Sequence, residues 1–584
     1  MSGYKEPSPV LKRLFLPPKD PSLTLSSNYE WLVVTQEPPL PGISLLSRPE
    51  EKLAGIRFDP SLLAPSRMQF AESLVLQRME TGEKQDVGLP GGSEGVRYIR
   101  FDPRRPRFVY SSKVKDEDRF ELHVCALDDG TGLWSTRRID LGEGRRMNHV
   151  NGCAYQFTSD GSKLLVKVVP AGWPSSAPEV VASTGPSVQE VTKGARKAPG
   201  RTYQDLLRNA HDEDKLRHYM TTELLCVDTA SLAVSAVVQS EGGKMFQSIS
   251  SSPCGRHLLV QITTKFSYSV PIRRFGKDVE IWDLDSEESL LLESVPVDDE
   301  VPLSYDACSR HPRSFKFHPG RNSTVMYVKA RDGGDPESDP VDGERDAVYA
   351  REIASGEGGG NLTASEPVKF AGLEWRYSRL DFTDRGLCVL EEYRWKDRME
   401  RKWLLHPDGK RRLLWERTWE DRYNSPGDFL SRRCKKTGRQ LIVQPTETSM
   451  YLEGAGASDL GDRPFLDLLD FSSEEKTTTT RLWRCAAPVE GDLDASKEAG
   501  GKIPTNRKDV YEDLICLLYD NETIMISREG KTTPRNYHLA KLSAGSGDEV
   551  QITSFDHPQP DLLGVTKELV KYKRDDGVDR ECPR

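Results

Sequence analysis

The sequence predicts an all-β fold, a β-propeller of seven or eight four-stranded blades with a short helical insertion. Three observations predict it. A unit of turn and strand recurs along the chain, each recurrence is followed by a further strand ending in a polar turn, and no unit is large enough to bury both its faces alone. Units recurring every roughly 50 to 95 residues are the pattern of a radial array whose neighbours supply each other's cores.

Five units carry the pattern most clearly. Phe101-Asp102-Pro103 leads to Phe108-Val109-Tyr110, and Phe157-Thr158-Ser159-Asp160-Gly161 leads to Leu164-Leu165-Val166. Ser251-Ser252-Pro253-Cys254-Gly255 precedes Leu258-Leu259-Val260, and Phe317-His318-Pro319-Gly320 precedes Val325-Met326-Tyr327-Val328. The fifth is Phe382-Thr383-Asp384-Arg385-Gly386 before Leu387-Cys388-Val389-Leu390. Pro, Asp and Gly between β-prone runs make hairpins, because they supply the dihedrals and side-chain hydrogen bonds that turns need. Leu122 to Leu127 and Val279 to Leu284 read as the strands that follow two of these hairpins.

Weaker units near Leu23-Thr24-Leu25, Ile442-Val443 and Ile515-Cys516-Leu517-Leu518 bring the expected ring to about eight blades. Two packed β-sandwiches are the alternative, since strand spacing alone does not separate the architectures. Residues 201–219 break the β rhythm with helix formers, Tyr203, Leu206 and Leu207 sharing a face, after a Pro/Ser/Gly-rich loop over 170–200. We read this as an insertion in the third blade, at the rim or mouth. Asp332 to Asp346 and Gly356 to Gly360 read as solvated connections.

With 36% hydrophobic and 30% charged residues the chain can bury a core, and 82 basic against 91 acidic residues, a net charge of −9, disfavour a nucleic-acid partner. The 10 cysteines are scattered without a Cys-x-x-Cys pair, which argues against zinc and for reduced thiols in a cytosol-like compartment. No signal core, transit-type segment or membrane span is visible, so a soluble intracellular protein without membrane partners is expected. His211 and His218 lie seven apart on the expected helix with no third ligand, and His318 and His406 each precede a proline. No metal site and no cofactor is proposed.

Several longer words are specific. Residues 48–57 (RPEEKLAGIR), Thr202 to Leu207, Arg331 to Asp335, and Gly454 to Ala457 followed by Pro464 to Leu468 resemble the propeller of the plant chloroplast glutamyl endopeptidases, of the prolyl-oligopeptidase family, from about Tyr4 to Val578. That resemblance implies a propeller whose tunnel limits substrate size and an α/β-hydrolase domain carrying a Ser-Asp-His triad. It implies peptide or unfolded-protein substrates, and residence in the chloroplast stroma.

The organisation expected on this basis is an N-terminal extension over 1–21, a propeller over 22–560 with its helical insertion near 170–222, and a linker with the truncated start of the hydrolase domain over 561–584. Lys567 to Val578 resembles that domain's first strand, and residues 579–584 depart from the family. Alone, Leu569 to Arg574 is expected to show an unpaired edge, and the propeller face that docks the hydrolase an uncovered apolar patch.

No catalytic residue is assigned. Gly91-Gly92-Ser93-Glu94-Gly95 fits the spacing of a nucleophile elbow, yet that elbow needs a strand before and a helix after, and here Leu89-Pro90 precedes and a β-prone run follows. The basic-aromatic stretch from Glu391 to Trp403 is the candidate substrate channel, because a glutamate-preferring peptidase needs cations to pair with the substrate carboxylate. Glu392, Lys396, Arg398 and Arg401 match the family there, and Arg398 and Arg401 are the expected tunnel residues. The alternative is a pair of strands with charges facing water. Two functions follow: the substrate-gating propeller of a glutamyl-preferring serine endopeptidase, or an inactive propeller acting as a protein-interaction module.

Overall fold

The computed structural model describes residues 6–128, 130–179, 202–355, 361–486, 510–530, 532–543, 549–565 and 569–583. Eight antiparallel sheets follow one another along the chain, and in each the four main strands neighbour one another in chain order. Blade 1 comprises Ser22–Leu25, Trp31–Gln36, Ser73–Arg78 and Lys84–Asp86, and blade 2 Ser93–Phe101, Arg107–Val114, Phe120–Leu127 and Trp134–Ile139. Blade 3 is built from Tyr155–Phe157, Lys163–Val168, Glu223–Asp228 and Val234–Ala236, and blade 4 from Phe246–Ser251, His257–Lys265, Gly276–Asp283 and Ser289–Val295. Arg313–Phe317, Thr324–Ala330, Asp346–Ala354 and Val368–Leu373 form blade 5, with Thr363–Ala364 added at its margin. Blade 6 runs through Arg376–Phe382, Cys388–Arg394, Met399–Leu405 and Arg411–Thr418. Asp428–Phe429, Ser449–Gly454, Phe465–Asp470 and Thr478–Arg484 make blade 7, and Val510–Leu517, Thr523–Gly530, Asn536–Lys541 and Glu549–Gln551 blade 8.

The cores lie between blades. Val109 and Val124 of blade 2 pack on Leu164 and Val227 of blade 3, Leu165 and Leu224 on Leu258 and Trp282 of blade 4, and so on round the chain. Second strands, sandwiched on both faces, are therefore continuous apolar runs such as Phe108-Val109-Tyr110 and Leu258-Leu259-Val260. The last seam joins Met525 and Ile552 of the blade 8 region to Leu32 and Met79 of the blade 1 region, and the Gln77 amide donates to the Ile552 carbonyl. The ring thus closes through side chains, and among the described residues no strand is shared between first and last blades. The expected seven or eight blades are eight.

Because every blade is a meander, its first-to-second turn lies on one face of the ring and its second-to-third loop on the other. The turn face is tight. Asp102 accepts from Arg107 Nε at 2.6 Å, and Gly161 of the next blade sits so close that a Cβ there would lie 2.3 Å from Asp102 Oδ1, with φ at +71° besides. This is why Asp and Gly recur in the turns.

The loop face carries the insertions. Leu53 and Phe58 from blade 1, Leu207, Leu216 and Met220 from blade 3, and Val270 and Phe275 from blade 4 share a satellite core. The insertion helix is shorter than expected. It spans Ala210–Met220, capped by the Asn209 side chain accepting from the Asp212 N–H at 2.9 Å, whereas Tyr203 to Leu207 is non-helical and Asp205 takes a left-handed φ of 56°. Leu207 is anchored by burial, not by a helix face. Arg201, the loop from residue 180 and Gly356 to Gly360 lie outside the described residues.

The connection from Asp332 to Asp346 is exposed over Glu337 to Asp339 and Val341 to Gly343, while the side chains of both terminal aspartates are fully buried beside Arg376. Near the termini, the helix Pro9–Phe15 meets the chain end through Arg13 and Asp561, 2.7 Å apart, and Gln559 donates to the Leu14 carbonyl. Leu569–Lys573 does not stand alone either. It pairs antiparallel with Asp579–Pro583, the residues expected only as a departure. Among the described residues no helix is long and apolar enough to cross a membrane.

Candidate functional site

First strands line the centre of the ring. A chamber of 640 Å³ is walled by Arg100 and Phe101 of blade 2, Gln156 and Phe157 of blade 3, Ser248, Ser250 and Ser251 of blade 4, Phe315 to Phe317 of blade 5 and Leu380 to Phe382 of blade 6. A second cavity of 400 Å³ adds Thr24 and Leu25 of blade 1 and Ile515 to Leu517 of blade 8. Both are lined by Arg100, Phe101, Arg433 and Gln440, so they form one channel.

Seven of the eight first-to-second connections are tight turns; in blade 7 the connection is residues 430–448. It folds into a hairpin, Ser431–Arg433 pairing with Gln440–Ile442. The sequence reading took Ile442-Val443 for a blade strand, but the second strand of blade 7 is Ser449–Gly454. The β-prone run there belongs to the insert.

The hairpin crosses the turn-face mouth. At its base Ile442 bridges to Thr383 of blade 6, and the Tyr519 hydroxyl of blade 8 donates both to the Arg433 carbonyl and, at 2.9 Å, to the Ser27 carbonyl of blade 1. The Lys435 ammonium lies 4.1 Å from the Tyr519 ring centroid. At its tip Arg104 of blade 2 donates to the Lys436 carbonyl, and Arg439 to the Ser251 carbonyl of blade 4. Gly438, at φ +65°, presses on blade 3 so closely that a Cβ would fall 1.9 Å from the Ser159 carbonyl oxygen.

Arg432, Arg433, Lys435, Lys436 and Arg439 crowd into residues 431–442 of this insert, which hold no acidic residue. Burial pushes the Arg433 and Arg439 guanidiniums below the usual arginine range. Sequence reasoning missed this element, although an acid-free run of cations interrupting the turn pattern was its visible signal.

Of the four residues singled out from sequence, Glu392 and Arg401 sit on the second and third strands of blade 6 and Lys396 and Arg398 in the turn between them, and none lines the central chamber. Glu392 is buried and accepts from the Trp375 N–H and Trp403 Nε1, both at 2.9 Å. Arg401 pairs with Glu416 at 2.6 Å and Glu374 at 2.8 Å and lies 3.8 Å from the Trp375 ring centroid. Burial opposes its charge, yet the two carboxylates outweigh it and raise its pKa. Arg398, in a left-handed turn, pairs with Glu420 at 3.3 Å and covers Trp395. Lys396 is exposed and lines a separate 910 Å³ groove on the loop face beside Tyr305, Asp306 and Arg376.

Two serine–histidine contacts need separating from catalysis. His257 Nε2 lies 3.2 Å from Ser355 Oγ and 3.5 Å from Asp283 Oδ2, so serine and acid share one ring nitrogen while buried Nδ1 has no partner. A relay needs the acid on one nitrogen and the serine on the other. Asp283 also binds Arg256 and Ser355 directly, and neither His257 nor Ser355 lines the channel. Ser112 Oγ and His123 Nε2, 2.9 Å apart, are both buried between strands of blade 2, and the His123 ring stacks on Tyr110. Ser93 opens a strand and bonds Gly95, with no helix after it. Of the helix histidines, His218 stacks on Trp173 and His211 lies in the first turn. Among the described residues no cluster of His, Cys, Asp and Glu could hold a metal ion.

No protein-family model matches the chain. It is 28% identical, over an alignment of 608 residues, to the probable chloroplastic glutamyl endopeptidase of Oryza sativa subsp. japonica, covering 99% of this chain and 60% of the relative. The probable chloroplastic glutamyl endopeptidase of Arabidopsis thaliana is 27% identical over 607 residues, covering 99% and 58%. A solved prolyl endopeptidase superposes with a TM-score of 0.35 at 12% identity, over 98% of this chain and 55% of that one. The chain is therefore homologous over its whole length to the chloroplast glutamyl endopeptidases, and spans about 60% of the length of the relatives it matches.

Proposed function

We propose that this ring is the substrate-admitting portion of a serine endopeptidase that cleaves peptides with a glutamyl preference, the hydrolytic residues lying in the part of the relatives that the chain does not span. The whole-length homology to glutamyl endopeptidases carries this reading. The channel supports the gating half of it, because a bore lined by first strands admits an extended or unfolded segment and excludes a folded domain. Apolar side chains on the loop face, Ile43 at 82% exposure and Tyr305 at 63% among them, suit a docking catalytic domain. The same face favours a second reading, an inactive propeller that presents these residues to a protein partner.

Cleavage of quenched peptides carrying a single Glu or Gln by the full-length protein tests the choice. Preferential cleavage after Glu, blocked by a fluorophosphonate, is expected. A full-length protein that takes up no fluorophosphonate and cleaves neither peptide overturns the peptidase reading. The 584-residue chain alone is expected to turn over neither, since no serine–histidine–acid relay exists among the described residues.

A further inference from the structure

We infer that the chamber behind the basic hairpin is a binding site for a carboxylate-bearing peptide, held by Arg433 and Arg439 of the hairpin and by Arg100 and Lys316 of the wall. The inference deepens the proposed function and rests on it only in choosing a peptide as the ligand.

No carboxylate pairs directly with these cations among the described residues; Asp381 acts on Lys316 and Asp102 on Arg433 only from beyond contact. Lys316 donates to the Leu380 carbonyl, Arg433 to the Gly438 carbonyl at 2.7 Å and Arg439 to the Ser251 carbonyl, and none of the four forms an ion pair among the described residues. Arg439 Nε is buried with no partner at all. Arg401, by contrast, is neutralised by two carboxylates. A desolvated guanidinium facing only carbonyl dipoles is costly to fold, and a carboxylate relieves it with charge-assisted, two-pronged hydrogen bonds.

The channel's own acids do not supply that relief. Asp381 is bound to Arg379 at 2.5 Å, and burial pushes the Glu453 carboxyl up, toward its neutral form. Phe101, Phe157 and Phe317 give the chamber apolar walls for the residues between carboxylates. Enclosure favours a peptide over a nucleic acid: the cations face a 640 Å³ chamber inside a ring.

The test is fluorescence anisotropy of labelled hexaglutamate and hexaglutamine with the 584-residue chain. Hexaglutamate is expected to bind about tenfold tighter or more, and R433Q/R439Q to lose about tenfold of that affinity, while K84Q/K410Q, the same charge change on exposed outer positions, stays within about twofold. Equal affinity for the two peptides, equal loss in the two double variants, or displacement of hexaglutamate by a lower concentration of oligothymidylate each overturns it. Hydrogen exchange on the unmutated chain guards against a misfolded variant: hexaglutamate is expected to protect residues 431–440, and unchanged exchange there refutes the site. Binding is read without cleavage, so a failed peptidase assay and a failed binding assay are separate results.

Discussion

The two faces of the ring are built from the same repeating sheet and do opposite things. On the turn face the connections are short, blade locks to blade through Asp102, Arg107 and Gly161, and the exposed groups include the cations Arg104, Lys435 and Lys436. On the loop face the connections are long, share a satellite core of their own, and leave Ile43, Leu303, Tyr305 and Tyr423 in solvent. One face is finished and crossed by an insert. The other is elaborated and uncovered. A meander forces this asymmetry, since insertions after the second strand all emerge on one side, and the blade 7 hairpin is informative because it breaks the rule.

The comparison breaks first, and hardest, at Arg376, whose side chain lies buried on the loop-face side against Asp332 and Asp346. Arg376→Met strands two buried carboxylates with weaker partners and is expected to cost about 3–5 kcal/mol in urea unfolding. A loss below about 1 kcal/mol would show that Arg345 and Arg313 suffice for them.

Acid sharpens the same contrast through His149, on the loop-face side, whose imidazole burial pushes down to about 3. Unfolded, it titrates near 6.5, so the native state binds fewer protons below that value. Stability from this group is therefore complete above about pH 6.5 and falls as pH drops toward 3, by about 2 kcal/mol between pH 7 and pH 5. His149→Phe is expected to flatten that part of the pH dependence while orphaning the Ala154 N–H it now satisfies. Parallel curves for the two proteins would refute the assignment.

On the turn face, Gly438→Val is expected to lift the hairpin tip from Ser159 at about 1–2 kcal/mol of local strain. Faster reaction of Cys434 with a thiol reagent, at nearly unchanged Tm, is the expected signature. An unchanged rate would mean the tip accommodates the side chain. The smallest effect belongs to Ile43→Ser, expected to change stability by less than about 0.5 kcal/mol while lowering binding of a hydrophobic dye. A large destabilisation would place Ile43 in a core.

Much of this was legible in the sequence because turns announce themselves. Phe-Asp-Pro at 101, Thr-Ser-Asp-Gly at 158 and Thr-Asp-Arg-Gly at 383 each mark a first-to-second turn, and the apolar runs after them are the doubly buried second strands. What periodicity does not encode is which of a blade's more polar strands faces the axis. Arg398 and Arg401 were therefore indistinguishable from channel residues, whereas Arg433 and Arg439 hid in an insert whose β-prone end imitated a blade. The helix fell short of its predicted start because Asp205 leaves the helical region, which composition does not reveal.

The seam between the first and last blades has a consequence for biosynthesis. Leu32 and Met79 leave the ribosome well before their covering partners Met525 and Ile552; the Gln77–Ile552 hydrogen bond alone spans 475 positions. At roughly 5–20 residues per second, that half-core waits about half a minute to a minute and a half for its other half. A nascent chain holding greasy surface open for so long is a natural client for chaperones, and the ring is a fold that only its final blade completes.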